Sequence, residues 1–151
     1  MATAAFETPT LKPYPVIPLV AEGAMAHAEL AMAHLPEHPA AGLIAHATRA
    51  QVRMHVGATA AALEDARAAL EGLEDLGQVQ EGESLIRLTW AEALAAAGRH
   101  DEARVAILVA QRWLTVRAKQ IADPELRASF REHVLENART DAHAREWGTP
   151  A

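Results

Sequence analysis

Residues 90–114, with the sequence WAEALAAAGRHDEARVAILVAQRWL, decide the fold of this chain. Alanine is the strongest helix former, and it recurs on both sides of Gly98. Glycine tolerates the left-handed backbone on which many helices end. The stretch therefore predicts two helices joined by a tight turn.

The composition of the whole chain favours the same kind of structure. Of the 151 residues, 76 are apolar and 36 of these are alanine, whereas only six are aromatic. Strands are enriched in β-branched and aromatic residues. The composition therefore predicts an all-α protein and argues against an all-β or a doubly wound α/β fold.

Proline and glycine residues mark the ends of the predicted helices. Prolines at 36 and 39 interrupt the first junction, glycines at 57, 77 and 98 suit helix ends, and Asp123-Pro124-Glu125 supplies a cap and a first-turn proline. The predicted helices cover 18–34, 39–56, 59–76, 81–97, 101–122 and 124–147. We expect an extended, proline-rich lead-in over 1–18, a single helical domain over 19–147 and a tail over 148–151. Loops this short make successive helices antiparallel neighbours.

A repeat with a period of 41 residues runs through the chain. A shift of 41 places residues 57–73 over residues 98–114. The superposed pairs are Gly57 with Gly98, Ala62 with Ala103, Ala66 with Ile107, Ala69 with Ala110, and Leu73 with Leu114. A further shift of 41 residues towards the N-terminus places Ala21, Met25, Ala28 and Met32 on the positions of Ala62, Ala66, Ala69 and Leu73. The first helix is therefore predicted to be the second half of a truncated repeat.

These residues resemble the tetratricopeptide repeat (TPR). The resemblance is carried by Trp90, Ala91, Leu94, Gly98, Ala103, Ile107 and Ala110. Residues 81–85, 122–130 and 136–139 also look like the C-terminal repeat region of large bacterial serine/threonine kinases and signalling ATPases. The chain departs from that pattern at Leu135, where a proline is usual, and at Arg131, where a leucine is usual. The period also exceeds the usual 34 residues, which implies longer helices.

The resemblance implies a solenoid of about six helices that binds partners through the first helix of each repeat. In this chain those residues would be Ala47, Gln51, His55, Leu88, Glu92 and Ala95. Arg49 and Arg53 stand where larger apolar residues would be expected and could contact an anionic peptide. Packing of their long stems over the repeat edge is the alternative.

The helix predicted over 101–122 carries two apolar stripes. One contains Ala103, Ile107, Ala110, Leu114 and Ile121, and the other contains Val105, Val109, Trp113 and Val116. We expect neighbours on both sides and the deepest burial in the fold. The final helix has one stripe and is predicted to cap the array, with Trp147 packing back or contacting another chain.

Few residues are suited to catalysis or cofactor binding. Cysteine is absent, which fits a reducing compartment, and we expect a cytoplasmic protein. The two serines lie near helix starts, and no His-x-x-x-His with a nearby carboxylate lies on an uninterrupted helix. Adjacent carboxylates such as Glu64-Asp65 suggest a solvated face. We therefore expect no enzyme activity, no metal and no cofactor.

The charge pattern bears on possible partners. The net charge of −6 argues against nucleic acid, and no apolar run is long enough to span a membrane. Residues 64–83 hold seven acidic residues and one basic residue, whereas residues 104–131 hold six basic and two acidic residues. The two segments either compensate each other within the chain or attract another copy or a partner.

The sequence therefore predicts a non-catalytic protein-interaction or scaffolding module, in the regulatory part of a larger bacterial signalling system. One alternative is a homo-oligomer assembled through apolar repeat ends. Its contacts would be Met25, Met32, Trp113 and Trp147. A second alternative is a helical domain that senses a small ligand.

Overall fold

The chain is all-α, as predicted. The computed structural model describes residues 18–33, 38–77, 79 and 81–148, and these residues form helices without any strand. The helices are α1 (Pro18–Ala33), α2 (Pro39–His55), α3 (Thr59–Leu76), α4 (Glu83–Ala96), α5 (His100–Lys119), α6 (Pro124–Glu132) and α7 (Leu135–Trp147). Most of the predicted proline-rich lead-in lies outside the described residues, as does the tail after Gly148.

Two helix-turn-helix units, α2–α3 and α4–α5, share one turn geometry. Gly57 and Gly98 adopt φ angles of 80° and 75°, the left-handed region that glycine enters without a steric penalty. The Ala58 amide donates to the Arg53 carbonyl at 2.8 Å, and the Arg99 amide donates to the Leu94 carbonyl at 2.9 Å. These donors and acceptors lie 41 residues apart, so the backbone follows the repeat found in the sequence.

The repeated apolar stripe forms the core of both units. Each superposed residue of α3 and α5 is at most 3% exposed, and these residues are Ala62, Ala66, Ala69, Leu73, Ala103, Ile107, Ala110 and Leu114. Alanine at five of these eight positions lets neighbouring helices approach closely. The prediction that the stripe is buried is confirmed.

Helix α4, rather than α5, is the most buried element. It packs against α2, α3, α5 and α7, and eight of its 14 residues are buried, compared with five of 20 in α5. The predicted second stripe of α5 lacks a covering helix, since Val105, Val109 and Val116 are 63%, 47% and 54% exposed. The expectation that neighbours cover both stripes of α5 is therefore wrong. Helix α3 packs on α4 without reaching α5.

The predicted final helix over 124–147 is two helices, α6 and α7. Val134 has extended backbone angles, with φ −81° and ψ 115°, and its carbonyl accepts the amides of Asn137 and Ala138 at the start of α7. The Asn137 side chain donates to the Phe130 carbonyl at 2.8 Å and so ties the two pieces together. This break leaves α6 without a buried residue, while α7 packs on α4 and α5 as the predicted cap.

Among the described residues, no helix combines the length and hydrophobicity needed to cross a membrane.

Candidate functional site

A groove of about 460 Å³ opens between α3 and α5, with α4 as its floor. It exists because α3 and α5 both pack on α4, while no Cα atom of α3 lies within 8 Å of a Cα atom of α5. The lining residues are Leu70 and Glu74 of α3, Arg87, Trp90 and Leu94 of α4, and Asp101, Glu102, Val105, Ala106, Val109 and Ala110 of α5. Helical spacing places these residues on successive turns of one face of each helix.

The groove is apolar inside and charged at its edge. Trp90 is half-buried and packs against two core clusters, one of which contains Leu94, so the floor is fixed by the interior of the fold. Val105 and Val109 form one wall and remain more than two-fifths exposed. Large exposed apolar side chains that adjoin a concave surface are typical of binding sites.

The charged groups at the groove edge are held by local ion pairs. Arg87 contacts Glu83 at 2.7 Å within α4, and Arg99 makes two hydrogen bonds to Glu102, at 2.7 and 2.5 Å. The hydrogen bond from Arg99 lowers the pKa of the Glu102 carboxyl below its usual value. Glu102 therefore stays ionised at neutral pH, which keeps one end of the groove acidic.

The residues predicted from the repeat resemblance do not form this groove. Ala47, Leu88 and Glu92 are at most 2% exposed, so the prediction that they contact a partner is wrong for this structure. Gln51 and Ala95 are half-buried, and His55 is exposed at the end of α2. The physical reason is that α2 packs directly on α4 and that α7 covers the other part of the expected surface.

Glu92 shows how α7 closes that surface. Its Oε1 atom lies 2.6 Å from Arg139 Nη2 and 3.0 Å from His143 Nε2, and both partners belong to α7. His143 stacks on Trp147 with ring centroids 4.2 Å apart. An acidic side chain buried this deeply requires such hydrogen-bonding and charged partners. Glu92 is therefore a contact between helices and is not accessible to another protein.

The predicted oligomer contacts are only partly accessible. Trp147 is 6% exposed and belongs to the core cluster around Leu88 and Ile107, so it packs back onto its own chain. The prediction that Trp147 packs back is therefore confirmed, and the prediction that it contacts another chain is wrong. Met25, Met32 and Trp113 are half-buried. Arg117 lies over the Trp113 ring, 5.4 Å from its centroid.

A buried ion-pair cluster was missed in the sequence. Asp65 is 4% exposed, although the acidic pair Glu64-Asp65 was expected on a solvated face. Its Oδ1 atom lies 2.5 Å from Arg49 and 3.3 Å from His46, and its Oδ2 atom lies 2.7 Å from Arg53. The arginines of α2 therefore hold α3 and are not available as an anionic-peptide contact. Arg49 and Arg53 are four residues apart and so lie on one face of α2, and this spacing is the sequence pattern from which the cluster could have been predicted.

The ionisation of Asp65 follows from this cluster. Burial raises the pKa of Asp65, but hydrogen bonds from Arg49 and His46 and the charges of Arg49 and Arg53 outweigh it, so the pKa lies below its usual value. Asp141 behaves in the same way, because hydrogen bonds from Arg131 and Gln111 outweigh its burial. Both carboxylates connect helices, and neither lies in the groove.

In the part of the chain that the structure describes, no three histidine and acidic side chains converge as they would around a metal ion. Comparisons of the chain with protein-family models, curated proteins and solved structures find no match.

Proposed function

We propose that this protein is a non-catalytic interaction module, built from TPR-like helix-turn-helix repeats, that binds apolar side chains of a protein partner in the α3–α4–α5 groove. The single observation that carries the proposal is the groove itself, with Trp90 and Leu94 in its floor and Val105 and Val109 exposed along its wall. Partner binding at a preformed surface requires no group that changes protonation or forms a bond.

The repeat supports the TPR-like part of this proposal. The two turns share φ angles and hydrogen bonds at a spacing of 41 residues, and each unit buries its stripe against its neighbours. Repeat arrays use such stacking to present extended binding surfaces. The resemblance to repeat regions of bacterial kinases and signalling ATPases extends the proposal to a regulatory or scaffolding role in a signalling system.

The size of the groove favours side chains over a whole helix as the bound groups. An apolar cavity of about 150 Å³ accepts a benzene-sized group, so this groove holds about three side chains of that size. A partner helix would supply them at positions i, i+3 or i+4, and i+7, as in other helix-in-groove complexes. Acidic residues at the groove edge favour basic residues beside those anchors.

Selection from a phage-displayed library of random peptides tests this function. We expect the enriched peptides to carry apolar residues at helical spacing and, when titrated as synthetic peptides, to quench or shift the tryptophan fluorescence of the protein. The variant Val105→Glu should weaken their binding about tenfold or more, because it places a charge in the apolar wall. Val116→Asp, on the same helix but outside the groove, is the matched control.

Two results would overturn the proposal. One is a selection without enriched peptides, and the other is equal affinity of the selected peptides for the wild type and Val105→Glu. Thermal melting of each variant shows that the fold is intact, which the 63% exposure of Val105 leads us to expect.

A ligand-sensing domain is the second candidate function. The groove volume falls within the range of about 300 to 1,000 Å³ that is typical of small-molecule sites. A thermal-shift screen with small apolar acids and amines distinguishes the two. A compound that raises the melting temperature of the wild type but not of Val105→Glu favours the sensor.

A further inference from the structure

The outward face of α5 is an apolar ridge. Val105, Val109 and Val116 are separated by one and two helical turns, and they lie on the side of α5 opposite its buried stripe. Isolated exposed apolar residues are ordinary, but several on one side of a helix mark an interaction surface. We call these three valines the α5 ridge.

The charges on α5 are arranged in opposite senses at its two ends. Asp101 and Glu102 lie in the first turn, whereas Arg117 and Lys119 lie in the last turn. This arrangement also complements the helix dipole. When two copies of such a helix lie antiparallel, however, the acidic end of each meets the basic end of the other.

We propose that a second copy of this chain covers the α5 ridge, with the two α5 helices antiparallel about a two-fold axis. Val105 and Val109 belong to both the ridge and the groove, so a second copy on the ridge competes with a groove partner for these two residues.

The two-fold axis fixes the residue pairs. A register that places Val105 against Val116 of the second copy also places Glu102 against Lys119 of the second copy, because one step forward on one helix is one step back on the other. Both pairs occur twice in the dimer. The valine pairs then lie on either side of the two-fold axis, where Val109 faces Arg112 of the second copy, and the opposite charges lie at the two ends.

Within one chain, Asp101 pairs with Arg104 and Glu102 pairs with Arg99, both at exposed sites within one helical turn. In the described part of the chain, no ion pair joins residues 64–83 to residues 104–131, so the two oppositely charged segments do not compensate each other by direct contact. In the pair of Glu102 with Arg99 both side chains are exposed. Exposed pairs of this kind contribute little and exchange easily.

The expected dimer is weak. Helix α5 has 20 residues and is therefore about 30 Å long, so one pair of ridges buries less area than a permanent interface. We expect a dissociation constant of the order of 10 µM at low salt, and weaker association at high salt because the end charges are exposed.

Charge reversal at the ends of α5 tests the proposal in sedimentation velocity on the full chain. The wild type should dimerise as its concentration rises from about 1 µM to about 500 µM. Glu102→Lys and Lys119→Glu should each weaken the dimer about tenfold, because each places like charges together at both ends.

An equal mixture of these two variants provides the decisive control. The first variant carries lysine at both positions and the second carries glutamate at both positions, so unlike copies are complementary. We expect the mixture to recover the wild-type dissociation constant to within about threefold, and the double variant to do the same. A parallel or unrelated contact would show no such recovery.

A ridge substitution outside the groove separates this inference from the proposed function. Val116→Asp should reduce dimerisation about tenfold and leave groove peptides bound, whereas Val56→Asp, at an exposed site beyond α2, should change neither. A wild type that stays monomeric throughout, or a mixture no tighter than its components, overturns the dimer. Peptide binding by a monomeric wild type would leave the proposed function standing.

Discussion

The two helix-turn-helix units have the same backbone but different contacts between their helices. In the α2–α3 unit, Arg49 and Arg53 reach across to Asp65. At the positions 41 residues later, the α4–α5 unit has Trp90, Leu94 and Ala106, and these residues line the groove. The first unit is therefore joined by buried charges, and the second presents apolar residues at the same place.

The outward faces differ in the same way. Glu64 and Asp75 of α3 are exposed acids, and the matched positions in α5 are Val105 and Val116. The two units therefore share the turn and the buried stripe, whereas the residues between their helices and on their outer faces differ. Function in this chain is therefore to be sought where the second unit differs from the first.

Removal of Asp65 should have the largest effect on stability. Asp65→Ala leaves Arg49 and Arg53 without their acidic partner, and breaking such a pair costs about 3 kcal/mol in the free energy of unfolding. Urea denaturation measures this loss.

The matched control replaces the three ion-pair residues of the α2–α3 unit by apolar residues like those at the matched positions of the α4–α5 unit. Arg49→Trp, Arg53→Leu and Asp65→Ala together should recover most of the lost stability, because apolar replacements of buried ion pairs are often neutral. A triple variant less stable than Asp65→Ala alone would contradict the equivalence of the two units.

Acid should weaken the first unit before the second. The pKa of Asp65 is lowered in the folded state. The contribution of Asp65 to the free energy of unfolding is therefore complete above its unfolded-state pKa of about 3.9, and it is lost as the pH falls through the folded-state pKa. Ala106 at the matched position cannot titrate. We expect the amides of α2 and α3 to be the first to lose protection against hydrogen exchange below about pH 4.

Asp65→Asn provides the control for this pH dependence. Its free energy of unfolding should fall less steeply with acid than that of the wild type, because the titrating group is gone. Parallel pH profiles for the two proteins would show that other carboxylates control acid sensitivity.

The two turn glycines should respond equally to substitution. Gly57→Ala and Gly98→Ala each force a side chain into the left-handed region, at a cost of about 1 kcal/mol. No atom lies within 4 Å of an added Cβ at either position, so the backbone alone sets the cost. Clearly unequal losses in urea denaturation would show that the turns are not equivalent.

The smallest effect on stability is expected at the outer face. Val105→Glu gives α5 the residue that α3 has at position 64, and it should change the free energy of unfolding by less than about 0.5 kcal/mol. Its effect on peptide binding should nevertheless be large. The reverse variant Glu64→Val controls for a general effect of surface hydrophobicity.

Much of the fold could be predicted from the sequence. The alanine-rich stripe and the glycine turns gave the all-α class, the repeat and five of the helices to within a few residues. The break at Val134 was not predicted, because the pattern of apolar residues continues through it. That break depends on α7 packing against α4 and α5, a contact between residues far apart in the chain.

The site could be predicted much less well. The resemblance placed partner contacts at Ala47, Leu88 and Glu92, whereas the packing of α2 on α3 and α4, and of α7 on α4, buries these residues. The valines at 105, 109 and 116 were recognised as a stripe but were assigned to the interior. Apolar residues on two sides of a helix have the same pattern whether or not a neighbour covers the second side.

The sequence by itself determined the local structure: where the helices lie, where the chain turns, and which stripe repeats. Helix propensity and the backbone freedom of glycine act within a few residues, so they can be read along the chain. Only the tertiary structure decided which faces are covered. The groove and the exposed α5 ridge exist because α3 and α5 both pack on α4 without meeting, and that arrangement depends on packing between whole helices.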